Sequence, residues 1–335
     1  MKRRHFLATA IGMYAMKPGM SGDTGMAPEQ AEPLQWKDRS LTGFGSVLSL
    51  RVAHSSAEQA ERALDAAVAT IRHVEDQMSL FDPDSALSRL NRDGVLERPH
   101  PDLVRILQLA QTISAKSGGA FDVTVQPLWA VFDAAARRDA LPSPADIEKA
   151  KQAVGWQDLI VSSDTIRLRR PEMAITLNGI AQGFAADLVR QTLREHGVRH
   201  ALINTGEWTS LGRPDPARNW LLGLADPRQE QALITRLAMD GRSIAVSADN
   251  ECSFSQDRRH HHIFDPHTGY SPPGLASVTV AAPSCAMADA LTKVMFVAGR
   301  EEALRMAHQW QVDVLVVAKN GNWTATPGLH LQRQG

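Results

Sequence analysis

The sequence predicts an α+β fold in which antiparallel sheets pack against helices. Short apolar segments separated by turns rather than by helices favour antiparallel pairing, and they span residues 220–225, 233–239, 243–247, 276–282 and 312–318. Other stretches repeat apolar residues at helical spacing between capping residues. With 335 residues and 43% hydrophobic content, the chain can bury one large core or two modest ones.

The first 35 residues predict an export signal followed by a linker. Lys2-Arg3-Arg4-His5-Phe6-Leu7 gives a positively charged start, and a short, mildly apolar segment follows it. The Arg-Arg-x-Phe-Leu pattern resembles a twin-arginine signal, which carries folded proteins into the bacterial periplasm. Residues 17–35 are rich in Gly, Pro and polar residues, as disordered linkers are. We therefore divide the chain into a signal and linker, 1–35, and one folded domain, 36–335, and expect a periplasmic location.

Composition argues against two classes of partner. The net charge is −1 and no basic excess indicates nucleic acid. No apolar run approaches the roughly 20 residues of a membrane-spanning helix, so any membrane association is expected to be peripheral. Cys252 and Cys285 either pair in an oxidising compartment or stay separate as buried thiols.

In the first half of the chain the patterns predict one strand and four helices. The strand is expected at 40–53, and the helices at 57–78, 83–91, 101–116 and 143–154. Ser56 begins the first helix with a capping-box pattern, and Asp82 and Ser143 are expected to cap the second and fourth.

The second half is predicted to begin with a hairpin and a buried strand. The expected elements are a hairpin of 158–161 with 165–169, a buried strand at 173–177, a helix that ends near Gly197, a strand at 200–204, and helices at 285–298 and 301–309.

The stretch Thr176-Leu-Asn-Gly-Ile-Ala-Gln-Gly-Phe-Ala-Ala-Asp187 joins the predicted buried strand to its helix. Gly179 and Gly183 are expected to bracket the turn. A helix start carries N–H groups and a partial positive charge, and glycines let a phosphate approach the backbone. The alternative is an ordinary strand–turn–helix packing unit, because glycine-rich turns are common.

The histidine run His260-His261-His262 is a weak candidate for a metal site. Adjacent histidines on an extended segment point to opposite faces, so the three cannot all bind one ion, and a His/Cys zinc site is not expected. One of them is better suited to binding a phosphate or to proton transfer. The alternative is a solvated histidine-rich turn.

Asp289 lies in a predicted helix that is otherwise apolar. A buried carboxylate is costly unless it is paired or bound to a cation. Asp289 can pair with Lys293 one turn later, or it can bind Mg²⁺, which favours oxygen ligands. The sequence leaves both interpretations open.

An ordered set of motifs resembles the FAD:protein FMN transferase (ApbE) family. Each motif is weak alone, but together they cover most of the chain after its signal. They are Met78-Ser-Leu-Phe81, Ser117-Gly-Gly-Ala-Phe-Asp-Val-Thr-Val-Gln-Pro-Leu128, Leu177-Asn-Gly-Ile-Ala-Gln-Gly-Phe-Ala-Ala-Asp187, Asn204-Thr-Gly-Glu207, Ser243-Ile-Ala-Val-Ser247, His262-Ile-Phe-Asp-Pro-His-Thr-Gly269 and Asp289-Ala-Leu-Thr-Lys293.

The resemblance implies an ApbE-like (T-fold-like) α+β fold and a periplasmic transferase whose substrate is FAD. Such an enzyme splits the pyrophosphate, releases AMP, and attaches FMN by a phosphoester bond to a Thr or Ser of an acceptor flavoprotein. Pyrophosphate cleavage needs positioning and charge neutralisation, which agrees with a helix start and a bound cation.

The resemblance also assigns residues to the site. Asp289 and His262 are expected to act in catalysis, with His262 beside the phosphates. Mg²⁺ is expected on Asp289 and the Gly179 carbonyl, with Lys293 standing where the family has a Thr or Ser ligand. The residues expected to line the FAD site are Met78, Ala120, Phe121, Asp122, Thr176, Gln182 and Ile263.

Two positions depart from the family's pattern. Many members have Lys where this chain has Gln182, although others have Glu. At Lys293, a protonated ammonium cannot bind Mg²⁺, so Thr292 or water takes that place, or Lys293 supplies part of the metal's charge. These departures support a second hypothesis, a non-catalytic protein that binds FAD or FMN and supplies flavin to a respiratory complex such as that of nitrous oxide reduction.

Overall fold

The computed structural model describes residues 33–229 and 231–332, so the predicted signal and nearly all of the linker lie outside the described residues. Within these ranges the chain forms eight α-helices and fourteen strands. The helices are α1 (Ala57–Met78), α2 (Ala86–Asp93), α3 (Pro101–Lys116), α4 (Gln126–Ala136), α5 (Pro144–Lys151), α6 (Ala181–Glu195), α7 (Cys285–Ala298) and α8 (Arg300–Trp310).

The strands form three sheets, and every pairing between named strands is antiparallel. They are β1 (Gln35–Gly43), β2 (Ser46–His54), β3 (Val95–Glu97), β4 (Leu159–Val161), β5 (Thr165–Leu168), β6 (His200–Asn204), β7 (Trp208–Leu211), β8 (Leu221–Ala225), β9 (Leu233–Ala238), β10 (Ser243–Ala248), β11 (Leu275–Ala282), β12 (Asp313–Ala318), β13 (Trp323–Ala325) and β14 (Leu331–Gln332).

A central sheet of eight strands has the order β1-β2-β6-β7-β10-β11-β12-β13. Two sheets of three strands accompany it, with the orders β14-β9-β8 and β3-β5-β4. The predicted α+β class with antiparallel sheets is therefore confirmed.

The central sheet is covered on both faces, and helices α6 and α7 pack on one of them. Alternate residues of β12 point to opposite faces: Val314 and Val316 join the core that contains α7, whereas Leu315 and Val317 join the core that contains β8 and β9. On the β1–β2–β6 side, Leu50 of β2 belongs to a cluster that includes residues of α1 and α6. These packed layers hold α6 and α7 side by side.

Several elements follow the sequence prediction closely because their signals are local. Ser56 Oγ accepts from Gln59 N (3.3 Å), as the capping-box pattern predicts, and Ser143 Oγ accepts from Asp146 N (3.2 Å). Helix α3 and strand β6 have the predicted bounds. Gly197, with φ +78°, follows the end of α6 as expected.

The predicted strand at 40–53 is wrong, because a turn divides it into β1 and β2. Phe44 and Gly45 both take positive φ, 49° and 75°, which reverses the chain. The second helix begins at Ala86 rather than at Pro83. Ser85 caps it by accepting from Ser88 N (3.0 Å), while Asp82 accepts from Asp84 N (2.9 Å) in the preceding turn.

The predicted buried strand at 173–177 is also wrong, although its apolar side chains are buried. Its backbone bonds to groups outside any sheet: Ile175 N donates to Asn91 Oδ1 (2.7 Å), and Thr176 N donates to the Val123 carbonyl (2.8 Å). The segment is a buried, extended lead into α6. Helix α4 and the strands β3, β7, β13 and β14 were not predicted.

Two further observations concern compartment and membrane. Cys252 and Cys285 are both free thiols, which settles the alternatives that the sequence left open in favour of separate thiols. No helix in the described part of the chain combines the length and apolar character that crossing a bilayer demands.

Candidate active site

A buried polar cluster forms where helices α6 and α7 begin beside each other. Gly183 N, in the first turn of α6, donates to Asp289 Oδ2 of α7 (3.1 Å). In return, the two carboxylate oxygens of Asp187 in α6 accept from Cys285 N and Ala286 N at the start of α7 (2.9 Å each). Each helix thus supplies the acid that satisfies N–H groups at the start of the other.

Gly183 lies inside α6 rather than in the turn before it, so the expectation that it brackets the turn is wrong. A methyl carbon at this position would lie 2.8 Å from Ala286 N and closer still to the Cys285 carbonyl. The missing side chain therefore allows the two helix starts to touch. The packing alternative for this glycine is the one that the structure supports.

Gly179 lies at the cluster, in the turn before α6. A methyl carbon on Gly179 would lie 3.2 Å from Lys293 Cε and 3.6 Å from the ring of Phe121. The turn, the aromatic ring and the lysine are consequently neighbours. Residues from three distant parts of the sequence meet here, as the ordered motifs predicted.

Asp289 and Lys293 form an ion pair one helical turn apart. Asp289 is almost fully buried, whereas 17% of the Lys293 side chain is exposed. Lys293 Nζ donates to Asp289 Oδ1 and to the Asp289 carbonyl, the latter at 3.1 Å. Burial alone would lower the pKa of Lys293, but Asp289, Glu207 and Glu251 outweigh it and raise that pKa. The ammonium is therefore protonated at neutral pH.

Glu207 and Glu251 complete the electrostatics of the cluster. Glu207 is buried and accepts from Val246 N (3.0 Å); burial and the charge of Asp289 raise its pKa well above the usual range. Glu251 lies on the open side, with 47% of its side chain exposed. Partial desolvation and Asp289 raise its pKa to about 7, against the opposing effect of Lys293.

Sequence reasoning missed both glutamates as site residues. Glu207 ends the motif Asn204-Thr-Gly-Glu207, and its place in that motif could have identified it as a site residue. Glu251 stands in a polar segment without periodicity and gave no signal.

His262 lies next to this cluster as a neutral imidazole. Its Nδ1 is 3.2 Å from the Cys252 carbonyl oxygen, which can only accept, so Nδ1 carries the proton. Nε2 keeps its lone pair and lies 3.8 Å from Glu251 Oε2. Burial and the Lys293 ammonium lower the pKa of His262 to about 4, although the Cys252 carbonyl opposes this. Nε2 is therefore unprotonated at neutral pH.

Gln182 and Thr176 flank the cluster. A methyl carbon on Gly206 would overlap the Gln182 amide, so this side chain lies on the turn between β6 and β7. Thr205 Oγ1 also donates to the Gln182 carbonyl (2.8 Å). Thr176 Oγ1 accepts from Asn178 N (3.2 Å) and so shapes the turn that contains Gly179.

The other residues predicted to line the flavin site belong to the core or to a loop held against it. Met78, Phe121 and Ile263 belong to one buried core, and Ala120 packs against it. Both carboxylate oxygens of Asp122 are engaged: Oδ1 accepts from the Thr124 N and Oγ1 atoms (2.8 and 2.6 Å), and Oδ2 accepts from Trp156 N (3.0 Å). Asp122 thus holds the loop that carries Phe121.

The residues at Asp289 do not fit the expected Mg²⁺ site. One carboxylate oxygen bonds to the Lys293 ammonium and the other to Gly183 N–H. Thr292 cannot substitute, because its buried hydroxyl donates to the Asp289 carbonyl (2.6 Å) and bonds Ser247 Oγ (2.7 Å). Of the alternatives raised by the sequence, a lysine that supplies the cation's charge agrees best with this geometry.

Among the described residues, one group has ligand atoms spaced as around a metal, and it lies in α1 and at the start of α3: His73, His100 and Asp102. These side chains already have partners in each other. His73 Nε2 is 3.2 Å from Asp102 Oδ2, and His100 Nδ1 accepts from Asp102 N (3.2 Å) as the cap of α3. The geometry is that of a helix cap with an ion pair.

We expect Gly183→Ala to destabilise the protein by about 1–3 kcal/mol, because the added carbon must push α6 away from the backbone of α7. The free energy of unfolding in urea measures this. Gly274→Ala is the matched control, since a methyl carbon there meets nothing within 4 Å. Equal stability of the two variants would contradict the close contact.

We expect His261 to make folding sensitive to acid. His261 is fully buried, and burial together with His262 lowers its pKa to about 3. Between pH 6.5 and about 3 the unfolded state binds a proton that the folded state does not, so stability falls as pH falls, by about 1.4 kcal/mol per pH unit at most.

Glu207 and Glu251, whose pKa values are raised, act in the opposite direction. The test is therefore the difference in unfolding free energy between wild type and His261→Gln across this pH range. A constant difference would show that His261 does not titrate as described.

Comparisons with known proteins identify the family of the chain. The model of the ApbE family matches residues 44–316. An FAD:protein FMN transferase of Vibrio cholerae is 30% identical over 74% of this chain and 77% of its own length, and one of Klebsiella pneumoniae is 31% identical over 75% and 80%.

Solved structures show the same fold. The ApbE protein of Thermotoga maritima superposes with a TM-score of 0.78 at 25% identity, over 88% of this chain and 97% of its own. The flavin transferase ApbE from Vibrio cholerae also gives 0.78, at 24% identity, over 88% and 97%. The chain belongs to the ApbE family.

Proposed function

We propose that this protein is an FAD:protein FMN transferase, which moves FMN from FAD to a Thr or Ser hydroxyl of an acceptor flavoprotein and releases AMP. The observation that carries the proposal is the imidazole of His262, whose Nδ1 is held by the Cys252 carbonyl (3.2 Å) so that Nε2 keeps its lone pair, in the same electrostatic cluster as the Lys293 ammonium. A base beside a fixed positive charge is what the transfer of a phosphoryl-linked group to a hydroxyl requires. Membership of the ApbE family supports the same activity.

The start of α6 is suited to the diphosphate of FAD. The helix contributes a partial positive charge at this end, and Lys293 adds a full charge beside Gly179. The ring of Phe121 adds an apolar wall next to the same turn. The site therefore combines charge for the phosphates with apolar surface close by.

In the transfer step, His262 Nε2 accepts the proton of the acceptor hydroxyl. The hydroxyl oxygen forms a bond to the phosphorus on the FMN side, and the bond from that phosphorus to the bridging oxygen breaks. AMP leaves with the bridging oxygen, and the proton passes from Nε2 to AMP or to water. A bound diphosphate stabilises the imidazolium, so substrate binding itself raises the pKa of His262.

The resemblance to the family predicts Mg²⁺ on Asp289 and the Gly179 carbonyl. The donor atoms at Asp289 are already engaged, as described above, so we assign no step to a metal.

The sequence pattern at Arg3 and Arg4 supports export by the twin-arginine route, and the acceptor would then share the periplasm with this protein. We expect Arg3→Lys/Arg4→Lys to leave the protein in the cytoplasm. Fractionation followed by immunoblotting measures this, and unchanged periplasmic recovery of the variant would reject the route.

We expect the purified protein to release AMP from FAD and to leave covalent flavin fluorescence on a denatured acceptor. His262→Asn should lower the rate by about 10²–10⁴-fold, because an amide can still donate to the Cys252 carbonyl but cannot act as the base. FAD binding should survive.

His308→Asn, at an exposed position of α8, is the matched control and should keep the wild-type rate. The second hypothesis, a non-catalytic flavin carrier, predicts tight flavin binding without AMP. That outcome, or an unchanged rate in His262→Asn, would overturn the mechanism.

A further inference from the structure

We propose that Lys293 is a built-in cation that binds the diphosphate of FAD in place of a divalent metal, so that flavin binding by this protein does not require Mg²⁺. The inference rests on the proposed function and concerns the same site. It follows from the position of Lys293, its bonding capacity and the state of its neighbours.

The ammonium lies where a cation for the diphosphate is needed. The side chain of Lys293 passes beside Gly179, in the turn that leads into α6. The same charge acts on His262, on Glu207 and on Glu251, so the ammonium is central to the cluster. A phosphate bound at the start of α6 would therefore be close to Nζ.

The ammonium also keeps a donor for a ligand. An ammonium has three N–H groups, and two of those on Lys293 bond to Asp289, one to its carboxylate and one to its carbonyl. The side chain is 17% exposed, and the third N–H has no partner among the hydrogen bonds to Asp289. The two hydrogen bonds to Asp289 therefore fix the position of the Lys293 ammonium.

The same contacts leave little for Mg²⁺. Each oxygen of Asp289 already accepts one hydrogen bond, so a metal there would have to share an oxygen with the Lys293 ammonium or with the Gly183 N–H, and the Thr292 hydroxyl bonds Ser247 instead. Two cations within one carboxylate's reach would repel each other. Lysine therefore replaces the metal's charge here, with one positive charge instead of two.

The first test is FAD binding to the full chain, followed by flavin fluorescence, in EDTA and in excess Mg²⁺. We expect the same Kd, within about twofold, under both conditions. We also expect no tightly bound Mn²⁺ by electron paramagnetic resonance. FAD binding that is lost in EDTA and restored by Mg²⁺ would overturn the inference while leaving the proposed transferase intact.

The second test uses two substitutions at Lys293. Lys293→Met removes the charge and should weaken FAD binding in EDTA by about tenfold to a hundredfold. Lys293→Thr restores an oxygen ligand and should create both a Mn²⁺ signal and Mg²⁺-dependent FAD binding. Lys149→Met, which removes an exposed charge from α5, is the matched control and should bind FAD as wild type does.

A purely structural role for Lys293 is tested with the double variant Asp289→Asn/Lys293→Met. Removing both charges avoids an unpaired buried carboxylate, so this variant is expected to fold, as circular dichroism will show. If it binds FAD as tightly as wild type, Lys293 is only the partner of Asp289 and the inference fails. Absence of FAD binding by wild type, with or without Mg²⁺, would reject both the inference and the proposed function.

Discussion

The reciprocal contact between the starts of α6 and α7 is the constraint on which the site depends. Gly183 of α6 donates to Asp289 of α7, and Asp187 of α6 accepts from the first N–H groups of α7. The two helices are about a hundred residues apart in the chain, since Gly183 and Asp289 are separated by 106 positions. A helix start carries a partial positive charge, and the carboxylates of Asp289 and Asp187 offset that charge where the two starts meet.

This arrangement sets the charges of the residues around it. A carboxylate as buried as Asp289 needs a positive partner, and Lys293 provides one from the next helical turn. Burial and the ammonium together lower the pKa of His262, which leaves that imidazole neutral at neutral pH. Glu207 and Glu251 respond in the opposite direction, with raised pKa values, because desolvation and the negative charge of Asp289 disfavour their ionised forms. The cluster therefore behaves as one electrostatic unit.

The sequence predicted well those elements whose causes are local. Ser56 and Ser143 mark helix starts with their own side chains, and the apolar neighbours of Asp289 indicate its burial. The sequence-based prediction was wrong where a residue far away in the chain determines the backbone conformation. Residues 173–177 look like a strand, yet the Asn91 side chain takes the backbone bond that a neighbouring strand would have taken. The reversal at Phe44 needs a positive φ in a residue that rarely adopts one.

The same distinction applies to the site. The ordered motifs pointed to Asp289, His262 and Gly179 as candidates, because each motif is a continuous segment, and the structure brings Gly179 and the Asp289–Lys293 pair together. Glu251 was missed because only folding brings it to the cluster. The role of Gly183 in helix packing could not be predicted either, because it depends on a contact with the backbone of α7 that only the folded structure shows.

A crystal structure of the protein with FAD bound would test the central claim most directly. The account predicts the diphosphate at the start of α6, with Lys293 Nζ in hydrogen-bond contact with a phosphate oxygen and His262 Nε2 facing the phosphorus on the FMN side. A diphosphate bound elsewhere, or a metal ion on Asp289 with Lys293 turned away from it, would contradict the account.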